Sequence, residues 1–367
     1  MRQETLAVLG GGNGAHMMAA HMALEGHKVN MIEHPCFEAG FRAVLQNQSI
    51  EASGIGPQGV ATLNLATTDF AEGLAGVRWI HLVMSAPGHE FFFEEMLPHL
   101  RDGQNVVVWA GNFSAVRLYR LLCEAKAPKG IRVFETNTIP YGTRLRGPGK
   151  IELLLWGLRV RIAGMPAKIN QSLVEELKGF FPQLERAPNV LATAFDNPNP
   201  TVHPPASLLN VGRIQYSQGE FYLYREGLTE AVARVIRQVF DEGVAVAEKY
   251  GTELIQYRDE DFRTTTSVMG VEFVAPFDTV GVIANVKGPS SLNDRYIRED
   301  IPFGLVPRSQ LGRKVGVHTP VIDAIINLGS SVCSEDFWKT GRTLESIGLA
   351  DLESKQILDY LTEGVKT

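Results

Sequence analysis

A single histidine in a proline-rich stretch is the first candidate for chemistry in this chain. Residues 197–205 read Asn-Pro-Asn-Pro-Thr-Val-His-Pro-Pro, which places His203 among four prolines. Proline fixes φ and removes a backbone donor, so this composition predicts neither an ordinary helix nor a central strand, but a stiff holder for the imidazole. Because an imidazole titrates near neutral pH, a rigidly held His203 would suit proton transfer. A purely structural histidine, hydrogen-bonded within the segment, is the alternative interpretation.

A glycine-rich loop at the start of the chain predicts a nucleotide-binding site. It directly follows the apolar run Leu6 to Leu9 and reads as G-x-G-x-x-A. In such a loop the first glycine makes a tight turn, the second lets the backbone approach a pyrophosphate, and the last small residue packs helix on strand. The N–H groups at the start of the following helix then face the phosphates. We therefore expect the loop to bind a dinucleotide through Gly10, Gly12, Asn13, Gly14 and Ala15.

Glu33 bears on the choice between NAD and NADP. It ends the next apolar run, about eighteen residues after Ala15, where a carboxylate contacts the adenosine ribose in NAD-binding forms and would repel a 2′-phosphate. The neighbouring His34, when protonated, would weaken that exclusion, and the next arginine is Arg42. We expect NAD, with NADP left open. The alternative is that Glu33 is only a solvated strand end.

A charged segment in the second half offers partners for the histidine. Residues 293–300 concentrate charge, and the apolar run 301–306 follows at once, so we expect some of these charges to point inward and to be paired. An aspartate there that accepts the N–H of His203 would fix the tautomer of the imidazole. An arginine there would bind a substrate carboxylate with two N–H groups. The alternative is an ordinary solvated face.

The elements that must position these groups divide the chain in two. Short apolar runs alternate with helical patterns through the first part, which predicts a doubly wound parallel sheet of the Rossmann type, with ligands at the carboxyl edge of its strands. The second part is mainly helical; its clearest elements are a helix over Thr229 to Gly251 and a helix that starts at Thr319-Pro320. The predicted domains are a dinucleotide-binding domain over residues 1–180 and a helical domain over 181–367. The predicted strands are Leu6 to Leu9, Lys28 to Glu33, Trp79 to Met84, Asn105 to Trp109 and Arg132 to Glu135.

The composition excludes several classes of protein. The 367 residues carry a net charge of −6, which gives no basic surplus for a nucleic-acid partner. No stretch of about 18 apolar residues predicts a membrane span, and the N-terminus lacks a signal-peptide core, so we expect a cytoplasmic protein. Three widely spaced cysteines suggest neither a disulfide framework nor a metal site. The sequence does not decide whether the chain forms a homo-oligomer.

Several segments, in this order along the chain, resemble the octopine/opine dehydrogenase family. The resemblance runs nearly from end to end, although Ala15 replaces the commoner last glycine of the loop. The matching segments are the G-x-G-N-G loop at 10–14, Glu135 to Tyr141 with Arg144, Asn197-Pro198 with His203-Pro204, Phe221 to Gly227, Arg295-Tyr296 with Glu299-Asp300 and Pro302 to Gly304, and Thr343 to Glu345 with Gly348-Leu349.

The resemblance implies a reaction and a role for each site residue. It implies that an amino acid and an α-keto acid, pyruvate or a relative, form an imine, and that a nicotinamide cofactor reduces the imine to a secondary-amine dicarboxylate. Carried over by position, His203 is the general acid/base, Asp300 its orienting carboxylate, and Arg295 a clamp for a substrate carboxylate. Thr138 and Asn112 are further candidates for substrate contacts.

Two other functions remain open from the sequence. A dehydrogenase of a simple hydroxy acid would use the same scaffold, because the fold and the glycine loop do not choose between C=N and C=O reduction. A non-catalytic protein that responds to NAD is the alternative from a different class. The aromatic residues at 216, 221, 222 and 224 lie where the amine side chain would be recognised, although such a cluster is more often core than pocket. The amino acid itself is not readable from the sequence.

Overall fold

The computed structural model describes residues 3–169, 171–258, 261 and 287–364. Within it the chain divides into two compact units, Met1–Val190 and Leu191–Thr367. The sequence places the boundary about ten residues earlier, at 180.

The first unit is built on an eight-stranded sheet with the order β12-β11-β8-β7-β6-β1-β2-β5. Six neighbouring strands from β5 to β8 are parallel, and β11 runs antiparallel to β8. The central β1 pairs with β2 on one side and β6 on the other, so the strand order reverses beside it, and the crevice at its carboxyl end is the usual ligand site of such sheets. The strands of this sheet are β1 (Thr5–Leu9), β2 (Lys28–Ile32), β5 (Leu65–Thr67), β6 (Trp79–Leu82), β7 (Asn105–Val108), β8 (Arg132–Thr136), β11 (Val160–Met165) and β12 (Leu184–Arg186).

A second, four-stranded sheet was not predicted from the sequence. It has the order β4-β3-β10-β9 and consists of two antiparallel hairpins joined by a parallel pairing of β3 with β10. Short turns close the hairpins, and the turn between β9 and β10 contains Gly147-Pro148-Gly149. Such a Gly-Pro-Gly sequence is a turn signal, but a pattern of alternating strands and helices does not predict a hairpin there. Its strands are β3 (Ser49–Gly54), β4 (Gly59–Thr62), β9 (Tyr141–Gly147) and β10 (Lys150–Trp156).

The small sheet explains the composition of the first helix. Helix α1 contacts β1 and β2 of the main sheet and all four strands of the small sheet. Its Met17, Met18, Ala19 and Ala20 are therefore all fully buried, although they point in different directions from the axis. The helices of this unit are α1 (Asn13–Leu24), α2 (Glu38–Asn47), α3 (Phe70–Gly73), α4 (His89–Met96), α5 (Ser114–Glu124) and α6 (Gln171–Lys178); α7 (Val190–Phe195) begins at the boundary.

The second unit is helical, as the sequence predicts. Helix α10 is capped by Thr229, whose hydroxyl accepts a hydrogen bond from the N–H of Val232, and Gly251 adopts a left-handed φ of +61° just after it ends. Helix α13 has Pro320 at its first position. No helix among the described ranges is long and apolar enough to cross a membrane. The helices are α8 (Pro198–Leu208), α9 (Val211–Ser217), α10 (Glu230–Lys249), α11 (Arg295–Arg298), α12 (Val306–Lys314), α13 (Pro320–Cys333), α14 (Phe337–Thr340) and α15 (Ser354–Glu363).

The expectation that the proline-rich segment is not a helix is wrong. Residues Pro198–Leu208 form α8, and the side chain of Asn197 caps it by accepting the N–H of Asn199 at 3.0 Å. Pro198 and Pro200 lie in the first turn, where the backbone N–H groups have no partner within the helix, so these prolines cost no hydrogen bond. Only Pro204 and Pro205 interrupt the ladder. The prolines thus stiffen a short helix that carries His203 on its middle turn.

Candidate active site

His203 and Asp300 form a buried pair in the second unit. Nδ1 of His203 lies 2.8 Å from Oδ2 of Asp300, and their side chains are only 6% and 2% exposed. A carboxylate can only accept a hydrogen bond, so Nδ1 carries the proton and Nε2 is the nitrogen that exchanges protons. The contact predicted between these two residues is therefore present, with the geometry of an oriented general acid/base.

Two tyrosines surround the same imidazole. The hydroxyl of Tyr224 lies 2.9 Å from Nε2 of His203, and the ring of Tyr296 stacks on the imidazole with centroids 3.8 Å apart at an interplanar angle of 17°. Tyr224 and Tyr296 are partly buried. Both ring nitrogens of His203 thus have a hydrogen-bond partner, Asp300 at Nδ1 and Tyr224 at Nε2.

Burial sets the protonation preference of His203. It lowers the pKa of His203 below the ordinary value, while the hydrogen bond and charge of Asp300 oppose that shift and raise the pKa again. The neutral imidazole is consequently the resting form near neutral pH, and its imidazolium form depends on the carboxylate beside it.

Close packing of a turn on α8 creates this pair. Asp300 opens a π-helical turn, Asp300–Leu305, that lies between α11 and α12. A Cβ atom at Gly304 would collide with the ring of Pro200 in the first turn of α8, so only glycine permits this approach. Asp294 caps α11 by accepting the N–H of Tyr296 at 3.0 Å, which fixes the start of the same segment. The expectation that charges before the apolar run 301–306 point inward is met by Glu299 and Asp300, both buried.

A buried arginine also holds the N-terminal end of α8. Arg308 is 2% exposed and donates to the carbonyl oxygens of Ala194 and Asn197 at 2.8 Å and to the hydroxyl of Thr201 at 2.9 Å. Burial lowers the pKa of Arg308 to about 10. These bonds tie the end of α7 and the capping residue of α8 to α12. Arg308 was not among the site residues predicted from the sequence, although a charged residue directly after an apolar run was a signal for it.

Arg295 lies one residue from the ring that stacks on His203. Its guanidinium is paired with Glu299 at 3.5 Å and sits 5.4 Å from the centroid of Tyr296, yet its side chain is 49% exposed. An exposed guanidinium presents a fork of N–H donors that matches a carboxylate. Arg295 therefore has the position and the chemistry to hold a carboxylate near the imidazole.

The glycine loop of the first unit has the backbone that phosphate binding needs. Gly10 has a φ of +113° and forms the tight turn after β1, and its N–H donates to the carbonyl of Ile32 at 2.8 Å. A Cβ at Gly12 would meet no atom within 4 Å, so this glycine faces open space at the first turn of α1. No side chain caps α1 at Gly12. The loop thus offers the start of a helix dipole and room for a pyrophosphate.

The other predicted loop residues take structural positions that hold the loop in place. Ala15 is fully buried in the core between helix and sheet. A Cβ at Gly14 would press on Val83 and Ile139, at 3.0 and 3.1 Å. The side-chain oxygen of Asn13 accepts the N–H of Leu145 at 2.6 Å, which fixes the loop against β9.

Glu33 lies directly against the glycine loop. A Cβ at Gly11 would collide with its carboxylate, which accepts the N–H of His34 at 2.8 Å. Burial raises the pKa of Glu33, while its bonds to the N–H groups of His34 and Gly11 lower it. The residues present therefore fit a dinucleotide, with a carboxylate placed for the ribose hydroxyls and against a 2′-phosphate.

Asn112 and Thr138 follow the adjacent strands β7 and β8, and both are buried. Asn112 lies in a turn with left-handed backbone at Ala110, Asn112 and Phe113. The carboxylate of Glu135 holds this turn by accepting the N–H groups of Phe113 and Ala115, both at 2.9 Å. Both candidates thus lie at the carboxyl edge of the sheet, where ligands of such folds bind.

The aromatic residues near 220 divide into three environments. Tyr216 is 87% exposed, Phe221 is buried, and Tyr224 contacts the imidazole of His203. Sequence analysis grouped these residues as a cluster that is more often core than pocket, so it missed the contact of Tyr224 with His203. No local signal distinguishes Tyr224 from Tyr222, because the contact depends on how the segment packs against α8.

Comparison with known proteins gives matches over the whole chain. Residues 186–333 match the family model of the NAD/NADP octopine/nopaline dehydrogenase alpha-helical domain. An opine dehydrogenase from Arthrobacter sp. (strain 1C) is 30% identical over 97% of this chain and 98% of that protein. Protein ocs from Agrobacterium vitis is 26% identical over the same shares. The structure of an octopine dehydrogenase with NADH and pyruvate covers 100% of this chain and 99% of that one at a TM-score of 0.73 and 19% identity, which shows a shared fold.

Proposed function

The chain belongs to the opine dehydrogenase family, and on that premise we propose the reaction and the roles of its residues. The protein is an oxidoreductase acting on CH–NH bonds that uses NAD(P) and joins an amino acid to an α-keto acid by reductive condensation. The keto acid that we propose is pyruvate or a close relative. The cytoplasmic location expected from the sequence stays a proposal.

The buried His203–Asp300 pair is the observation that carries this proposal. Condensation of an amine with a ketone releases water, and reduction of the resulting imine needs a proton on nitrogen, so both steps require one group that donates and accepts protons. His203 fills that role, because Asp300 fixes the proton on Nδ1 and so leaves Nε2 as the nitrogen that exchanges protons. Asp300 also stabilises the imidazolium when it forms.

Substrate carboxylates need cationic partners near this pair. Arg295 is the proposed clamp, since its half-exposed guanidinium lies beside the ring stacked on His203. Asn112 and Thr138, at the sheet edge of the first unit, are proposed to contact the substrate near the nicotinamide.

The glycine loop is proposed to hold the dinucleotide through Gly10, Gly12, Asn13, Gly14 and Ala15. When bound, the reduced nicotinamide supplies a hydride to the imine carbon. Glu33 supports a preference for NAD over NADP, because its buried carboxylate lies against the loop where a 2′-phosphate would have to sit.

The proposed function is tested by measuring NADH oxidation with pyruvate, with and without a mixture of amino acids. We expect turnover only when both the keto acid and an amine are present, and a screen of single amino acids then identifies the substrate. Turnover with the keto acid alone, unaffected by any amine, would favour a hydroxy-acid dehydrogenase instead. The variant His203→Asn is the control, and it should abolish the amine-dependent rate while it retains NADH binding.

A further inference from the structure

We propose that the hydroxyl of Tyr224 relays the proton between Nε2 of His203 and the substrate nitrogen. This inference rests on the proposed function, because it concerns the path of the proton in the same reaction. It makes Tyr224 a catalytic residue, in contact with the reacting nitrogen.

The geometry leaves Nε2 no direct path to a substrate. A neutral imidazole has one in-plane lone pair on Nε2, and the hydroxyl of Tyr224 lies 2.9 Å from that atom. Asp300 occupies Nδ1, and Tyr296 covers a face of the ring. The side chain of His203 is 6% exposed, whereas Tyr224 is only partly buried. Tyr224 is therefore the more exposed residue of the pair.

The segment that carries Tyr224 is anchored on both sides. Leu223 is fully buried and its carbonyl accepts the N–H of Leu228 at 3.0 Å, while the carbonyl of Gly227 accepts the side chain of Asn210 at 3.1 Å. A Cβ at Gly227 would press on Phe221 at 2.8 Å, so the turn is closely packed. A fixed hydroxyl suits a relay better than a side chain that must swing aside.

Arg295 places the substrate beside this hydroxyl. The guanidinium of Arg295 interacts electrostatically with both Tyr224 and Asp300. An α-carboxylate is separated from the imine nitrogen by a single carbon atom, and Arg295 lies near both His203 and Tyr224, so a carboxylate bound by Arg295 brings the nitrogen close to the His203–Tyr224 pair.

The relay conserves the number of protons and transfers no electrons to or from the protein. The Nε2–H bond of the imidazolium breaks as its proton forms a new bond to the phenol oxygen. At the same time the phenol O–H bond breaks and its proton bonds to the imine nitrogen, which becomes the iminium that accepts hydride. Tyr224 ends as a neutral phenol, and His203 ends as a neutral imidazole that accepts its hydrogen bond. In the oxidative direction the same protons move in reverse.

The test compares Tyr224→Phe with the matched control Tyr250→Phe, which removes a tyrosine hydroxyl that donates to the carbonyl oxygen of Leu311 at 3.2 Å elsewhere in the second unit. We expect Y224F to lower kcat by roughly 100-fold or more, the size of one proton-transfer group, with KM values and NADH affinity nearly unchanged. The solvent deuterium isotope effect on kcat should rise, because proton transfer becomes rate-limiting. A kcat within about twofold of the wild type, or a higher kcat with a lower KM, would overturn the relay and make the phenol a mere occupant of the site.

A second variant separates the hydroxyl from the packing of the ring. Added phenol should restore part of the activity of Tyr224→Ala, and added benzene should not. Equal rescue by both compounds, or rescue by neither in a variant that still binds NADH, contradicts the relay. Loss of amine dependence in the wild type and in Y250F would instead overturn the proposed function, so the two failures are distinguishable.

Discussion

Nδ1 of His203 and Oδ2 of Asp300 lie 2.8 Å apart although 97 residues separate them in the sequence. One side chain stands on α8 and the other opens the turn Asp300–Leu305, so the pair exists only because these two elements pack closely. The first prediction tests how the pair depends on charge and pH, and the second tests how it depends on packing.

Asp300→Asn should lower kcat by about 10²- to 10⁴-fold. The amide carries no charge and can donate to Nδ1, which favours the wrong tautomer of His203. Because Asp300 raises the pKa of His203, its loss lowers that pKa further. In the oxidative direction, which needs the neutral base, the acid limb of kcat/KM should therefore move to lower pH than in the wild type. The control is Asp336→Asn, the same chemical change at an exposed pair with Lys339. An unmoved acid limb would contradict the assignment.

Gly304→Ala should move Asp300 away from His203 although neither residue is changed. The added methyl group would collide with Pro200, so the turn has to shift away from α8 at a cost of about 1–3 kcal/mol in the free energy of unfolding. We expect kcat to fall roughly tenfold or more, since a small misplacement of a catalytic group is costly, while NADH affinity stays at the wild-type value. Gly212→Ala is the control, because a Cβ there meets no atom within 4 Å. Full activity in G304A would show that the close approach is not needed.

Gly12→Ala and Gly10→Ala should have different effects. At Gly12 the methyl group points into open space, so the fold should persist while the affinity for NADH falls by roughly tenfold, or about 1.4 kcal/mol. At Gly10 the backbone has a φ of +113°, and the added methyl group would lie 2.7 Å from the carbonyl oxygen of Val83. Gly10→Ala should therefore lower the free energy of unfolding by about 1–3 kcal/mol. Fluorescence titration with NADH and unfolding of the ligand-free variants measure the two effects. Unchanged NADH affinity in G12A would argue against the proposed pyrophosphate position.

His81 should make the first unit sensitive to acid. Burial lowers the pKa of His81 to about 3, and Nε2 has no partner among the residues that the structure describes. Between pH 6 and 4 the unfolded chain therefore binds a proton that the folded chain does not, so stability falls as the pH falls, by about 1.4 kcal/mol per pH unit for this group. His81→Gln keeps an acceptor for the indole N–H of Trp109, which lies 3.2 Å from Nδ1, but does not titrate.

The slope of unfolding free energy against pH should therefore be smaller by about that amount in H81Q. Tryptophan fluorescence is a suitable probe, because Trp79, Trp109 and Trp156 lie in the first unit and only Trp338 in the second. Equal slopes for wild type and variant would mean that His81 is protonated in the folded state.

Local patterns predicted the elements whose signals are local. The glycine loop, the strands β1, β2, β6, β7 and β8 and the caps of α10 and α13 each depend on a few neighbouring residues, and each lies within two residues of its predicted place. The proline-rich segment shows the limit, because counting prolines ignores where they fall in a helix. Pro198 and Pro200 occupy a first turn that has no hydrogen bonds to lose.

The remaining misses depend on contacts between distant segments. The small sheet pairs β3 with β10, about a hundred residues apart, and no periodicity within either strand reports that pairing. Tyr224 was missed for the same reason: its contact with His203 comes from packing against α8, which the sequence near Tyr224 does not encode.

Product analysis with deuterated NADH tests the central claim most directly. Purified enzyme is incubated with pyruvate, the amino acid found by the screen and NADH carrying deuterium at the transferred position, and the product is examined by mass spectrometry. The account predicts a single product with the mass of the two substrates joined with loss of water and gain of one hydrogen and one deuterium, the deuterium being on the carbon that was the keto carbon. A deuterated hydroxy acid without nitrogen, formed equally when the amino acid is omitted, would contradict it.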